Sequence, residues 1–331
     1  MFKNMIIYRI AHPWQTGLDK IEAALAQAPF LPCSATQERS WGWVPPRGEA
    51  HGPLAESVGG QWLLRFMTEA KLLPSSVLAR KVQEKAAQIE HTTGRKPGKR
   101  QSRDLQEEAK LDLLPQAFTR QSSITVWIDP QAHFLLIDSS SQSRADEVVT
   151  ALVEALPGLS LWLLDTQTAP ATAMAQWLST QEPPSGFSLD RECELKSSNE
   201  DKAVVRYARH PLDIDEIRAH IQAGKMPTKL ALSWADRLSF VLTEGLQLKK
   251  LALLDAALAE QNAEDRGFDT DWALTTGELA PFLPALIEAL DGESERSNAT
   301  PSTKTTTRPD QAVITGPATA PPDTAPAEAP F

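Results

Sequence analysis

The chain has 331 residues, 41% of them hydrophobic and 23% charged, a globular composition with room for two ordinary domains or one large one. Its formal net charge of −10 argues, taken alone, against nucleic acid, and with no apolar run near twenty residues a helical membrane span is excluded. The two cysteines, Cys33 and Cys193, are too far apart for a CxxC metal or redox motif. The N-terminal apolar stretch is short and broken by Arg9, unlike a secretory signal, so the expected location is the reducing cytoplasm.

Residues 4–10 form an apolar, β-branched run that predicts a strand. Over 17–28, Leu18, Ile21, Leu25 and Ala28 recur on one helical face. Pro45 and Pro46 hold 41–46 extended. Residues 61–68 follow a Gly-Gly turn and read as a strand. Residues 75–90 read as a helix behind Pro74, and 104–114 as a second helix opened by Asp104. Between them, 93–103 carries Arg95, Lys96, Lys99, Arg100 and Arg103 with no acid, two glycines and a proline: a basic loop at the tip of a helical hairpin spanning about 75–114. Residues 124–129 and 134–138 read as a β-hairpin, 144–156 as a helix closed by Pro157-Gly158, and 174–178 as helical. Strands are expected at 202–207, 228–234 and 238–243, and a helix at 213–222, where Asp213, Asp215 and Glu216 complement the dipole of a helix N-terminus. Residues 245–251 are expected to lead into a helix, and 279–290 to form the last one. Strands and helices do not alternate strictly, so the fold class is α+β, with mixed, mainly antiparallel sheets and helices. The body ends at 291. From 292 to 331, seven prolines and eight threonines with few large apolar side chains predict a disordered tail.

No motif carries catalytic chemistry. The six histidines are scattered without HxH or HExxH spacing, and the Walker A, GxGxxG and GxSxG patterns are absent. No cofactor is called for. The cations say more. Residues 1–110 hold 16 Lys and Arg against 11 Asp and Glu, whereas 111–291 hold 14 against 27. Charges sorted in this way can present a basic surface on an acidic protein. Besides the hairpin tip, the candidate phosphate-binding positions are Arg206, Arg209, Lys225, Lys229, Lys249 and Lys250. Few aromatics are interleaved with them, which favours backbone contact over base stacking. Phe118, just past a helix end and followed by Arg120, reads as an interface or gate residue rather than a core one.

Nine collinear phrases carry a family resemblance. They are FKN at 2–4, FLPC at 30–33, GWVPP at 42–46, LPS at 73–75, LLPQAFTR at 113–120, WID at 127–129, AGK at 223–225, TKLAL at 228–232, and FD at 268–269 followed by LTTGEL at 274–279. Together they resemble the bacterial recombination-associated RdgC family over 1–291, the tail excluded. The resemblance implies horseshoe-shaped subunits that close into a homodimeric ring with a basic hole. It implies binding of double-stranded DNA, and of single strands as a second DNA partner, with little sequence preference. It further implies nucleoid association, antagonism of the RecA recombinase during recombination and fork repair, and no enzymatic activity. Gln116 stands where the family carries an arginine, and the stretch Arg206-Tyr207-Ala208-Arg209 holds fewer cations than the family does. Two alternatives stay open: a metal-dependent DNA-processing enzyme using Asp269, Asp271 and Glu278, and an acidic interaction scaffold with the tail as its arm.

Overall fold

Strand β1 (Asn4–Ile10) organises the molecule. In the computed structural model, which describes residues 2–197, 202–258 and 267–294, its side chains alternate between two apolar clusters. Ile6, Tyr8 and Ile10 enter one; Met5 and Ile7 enter the other. A strand buried on both faces needs a continuous apolar run, and the sequence supplies one.

The first cluster lies beneath α1 (Leu18–Leu25) and α4 (Gln142–Ala155), which contribute Ile21, Leu25, Val148 and Leu152. It is shared by β2 (Arg39–Val44), β3 (Ala55–Val58), β4 (Gln61–Lys71), β5 (Thr119–Asp129) and β6 (Phe134–Ile137). Gly42 in β2 is required by a close approach: a Cβ there would stand 2.4 Å from the Cα of Phe30. That contact lets 28–30 bond along β2 and cover its outer edge.

The second cluster lies beneath α5 (Pro170–Thr180), α6 (Asp215–Gln222) and α8 (Phe268–Glu288). Its strands are β8 (Phe187–Ser197), β10 (Lys225–Trp234), β11 (Leu238–Thr243) and β12 (Leu248–Leu253). Short β7 (Leu161–Leu163) pairs with β1, β9 (Val204–Ala208) closes the far edge, and the single turn α7 (Asp255–Leu258) follows β12. The order β2-β4-β5-β6-β1-β12-β11-β10-β8-β9 is antiparallel at every described pairing, as the α+β reading expects.

Several local expectations change. Residues 245–251 do not enter a helix, because 248–253 is strand β12. Lys250 adopts a left-handed φ of 53° at a register shift, so Leu248 and Leu251 reach the same core three residues apart. A bulge thereby copies helical spacing. The last helix begins at Phe268 rather than 279 and runs through Pro281 and Pro284. Strands β3, β7 and β8 appear where no strand was expected. Residues 292–294, assigned by composition to the tail, bond to the body: the N–H of Gln167 donates to the Gly292 carbonyl at 2.9 Å, and the Arg9 guanidinium grips Glu293. The expected disorder of 295–331 lies outside the described residues.

Candidate nucleic-acid interface

Lys71, at the end of β4, pairs with Thr119, at the start of β5, so everything between them is an excursion from one ladder. It is a helical hairpin of α2 (Ser75–Thr93) and α3 (Lys99–Leu113). Gly94 ends α2 in the left-handed conformation, at φ 66°. At about 1.5 Å per residue, the 19 residues of α2 carry the tip roughly 28 Å from the sheet. Only Leu105 and Ala109, both on α3, are buried. Lys85 ties the helices by reaching Glu108 at 2.6 Å and Asp112 at 2.8 Å.

The tip is more ordered than a loop. Helix α3 begins at Lys99, not Asp104, so Lys99, Arg100 and Arg103 lie on its opening turns and only Arg95 and Lys96 lie on the connection. No acid stands in that first turn. Cations at a helix N-terminus oppose the dipole, an arrangement an incoming anion relieves. All five side chains are exposed, and none forms an ion pair among the described residues.

The cations of the second half sit differently. Glu194 on β8 lies opposite Arg206 on β9 and Lys229 on β10 in the ladders, and accepts from both, at 2.5 and 3.1 Å. Burial pushes the Glu194 carboxyl up. The Thr228 hydroxyl, Lys229 and Arg206 outweigh it and hold the group at about 2. Lys250 reaches Glu192 at 2.6 Å. Arg206, Lys229 and Lys250 are therefore all paired with carboxylates, the first two sharing the single charge of Glu194. Lys225 stands 3.1 Å from the His220 ring nitrogen, Arg209 is exposed at a left-handed φ of 56°, and half-buried Lys249 pairs in register with Asn4. Those three have no carboxylate partner among the described residues. The sequence missed Glu192 and Glu194 as partners because β8 was not recognised, and ladder neighbours are long-range in sequence.

Phe118 is 85% exposed, two residues beyond a 3-10 turn at Leu114–Gln116, so it is not part of the core. Its carbonyl accepts from the N–H of Leu72, itself 49% exposed, and Leu111 on the last turn of α3 is 53% exposed. An apolar group thus lies uncovered at the hairpin base, with Gln116 exposed beside it.

Two of the three carboxylates considered as metal ligands are engaged elsewhere. Asp269 accepts from Arg47 and Glu278 from Arg237, and no set of three or more His, Cys, Asp or Glu suited to a metal ion forms among the described residues. Nor is any described helix long and apolar enough to cross a membrane.

A family model described as "Putative exonuclease, RdgC" matches residues 1–293. The chain belongs to the RdgC family. Among its relatives, the recombination-associated protein RdgC of Dechloromonas aromatica is 46% identical over 299 residues, covering 88% of this chain and 98% of the relative. Those of Cupriavidus pinatubonensis and Herminiimonas arsenicoxydans are each 44% identical, covering 88% and 89% of this chain and 98% and 99% of theirs. The RdgC match ends at Glu293, one residue short of the last described residue.

Proposed function

We propose that this protein binds double-stranded DNA through its phosphates without reading bases, closes around it as a homodimeric ring, and so limits access of a RecA-type recombinase during recombination and fork repair. Single strands are a secondary ligand. The protein acts in the cytoplasm at the nucleoid and works without cutting DNA. The observation that carries the reading is the hairpin tip: five exposed cations, without a carboxylate partner among the described residues, gathered on the α2–α3 connection and the start of α3. Membership of a family whose relatives are named for recombination supports the biological setting. The exposed Phe118 supports an association surface at the hairpin base.

The mechanism is electrostatic. Lys and Arg displace condensed counterions from the duplex, and phosphate contacts fix position without conveying sequence. A closed ring adds a topological hold, and a covered duplex is a poor template for a recombinase filament. A mobility-shift titration over a range of salt on random-sequence duplex tests this. Affinity should fall with salt, with a log–log slope of roughly −0.9 per neutralised phosphate. Replacing Arg95, Lys96, Lys99, Arg100 and Arg103 with alanine should flatten the slope and weaken all sequences alike. An unchanged slope rejects the hairpin as the contact. Cleavage of DNA in magnesium by the pure protein, lost in Asp269→Asn, would favour the enzyme reading.

A further inference from the structure

A cleft of about 620 Å³ opens where three distant segments meet. The β1–α1 connection and α1 supply His12, Trp14 and Lys20, β4 supplies Trp62, and the β5–β6 turn supplies His133. The volume is in the range of small-molecule sites. In a chain of net charge −10, no carboxylate among the described residues lines it. His12 and His133 stack at its wall, ring centroids 3.7 Å apart and planes 25° apart, with His133 at a left-handed φ of 59°. Arg9, behind them, is already held by Glu293 and by the ring of Phe134.

Two indoles and three cationic or protonatable groups in one concave site make an uncommon combination. Indole faces stack on any base, and a lysine with an imidazole suits a phosphate. Duplex bases are stacked inside and cannot enter such a cleft. We propose that it binds one unstacked nucleotide, the base against Trp14 and Trp62 and the phosphate on Lys20 and His12. Burial, then His12 and Arg9, hold His133 below its ordinary range against the opposing pull of Asp129. The site goes beyond the duplex contacts proposed for the hairpin and uses none of its residues.

The test uses the full chain and thymidine 5′-monophosphate, followed by calorimetry and tryptophan fluorescence. The wild type should bind, with quenching, and thymidine, lacking the phosphate, should bind about tenfold more weakly or worse. The double variant His12→Ala, Lys20→Ala changes two exposed residues, so its melting temperature should hold while affinity falls about tenfold. Trp14→Ala should lose the quenching; if it fails to fold, the double variant decides. A short oligothymidylate binding much more tightly than the monophosphate identifies single-stranded DNA as the source, and equal affinities identify the free nucleotide. No binding at millimolar monophosphate, or equal binding by the double variant, overturns the site. Monophosphate binding that survives in the five-alanine hairpin variant, while duplex binding is lost, separates this inference from the wider reading.

Discussion

At the scale of single residues, Glu194 holds two of the candidate phosphate-binding cations, Arg206 and Lys229. Glu194→Gln should release Arg206 and Lys229, raise duplex affinity and steepen the salt slope by up to about 1.8, the value for two phosphates. A slope unchanged in the titration would show that this face does not meet DNA. The same carboxyl makes the fold acid-sensitive. Its value falls from 4.5 to about 2 in the folded chain, where burial's upward push is overcome by the Thr228, Lys229 and Arg206 bonds. The stabilisation is complete above the unfolded value and is lost as pH drops from about 4.5 towards 2. Urea midpoints over that window should fall less steeply for Glu194→Gln than for wild type. Phe118→Ser, at an 85% exposed site, should keep the melting temperature and weaken self-association in sedimentation. A loss of several kcal/mol, on the order of the ~3–5 expected for truncating a core phenylalanine, would return the residue to the core.

At the scale of elements, the hairpin stands out from the sheet on little packing. Helix α2 buries no residue, and α3 buries two. Segments with few buried contacts open locally well below the global free energy. In hydrogen exchange, α2 amides should therefore exchange long before those of β5 and β6; equal protection would mean the hairpin is braced by a partner surface. This element also shows what the sequence disclosed. The helical hairpin, the β-hairpin of β5 and β6, and strand β1 all announce themselves through local periodicity and turn residues. Strand β12 does not, because the bulge at Lys250 gives its leucines helical spacing. Helix α8 hides its first half behind Thr275, Thr276 and Gly277, poor helix formers that tertiary burial overrides. The cations were legible as residues, but their partners were not. Pairing of Lys229 with Glu194 depends on a ladder between positions 35 apart. The His12–Trp62–His133 cleft is less legible still, being assembled from three segments.

At the scale of the whole molecule, the body closes on itself near both ends of the described chain. Thr166 bridges to Glu293, Thr168 donates to Leu290, and Glu293 holds Arg9 with both side chains mostly buried. A chain cut after Ser294 should bind duplex as the full chain does, since the residues removed include the cation-poor stretch that offers phosphate little attraction. A loss of more than tenfold, about 1.4 kcal/mol, would make the tail part of the site. Glu293→Gln should cost about 1.5–3 kcal/mol in denaturant unfolding, the usual worth of hydrogen bonds to charged groups. No change would show that the clasp is ornamental to stability.

The pairing of Asn4 and Met5 with Lys249 and Leu248 has a consequence for biosynthesis. A strand made early waits for one made more than 240 residues later. At about 5–20 residues per second, the interval is on the order of ten to fifty seconds. Throughout it, one side of the leading half of β1 lacks its ladder partner, an open edge of the kind that recruits foreign strands. Closing so long a loop is slow as well as late. Nascent chains should therefore depend on holdase protection more than their finished fold suggests. A circular permutant that links the end of the body, near Ser294, to β1 and opens the chain upstream of β10 should shorten that separation and refold faster, and an unchanged refolding rate would place the slow step elsewhere.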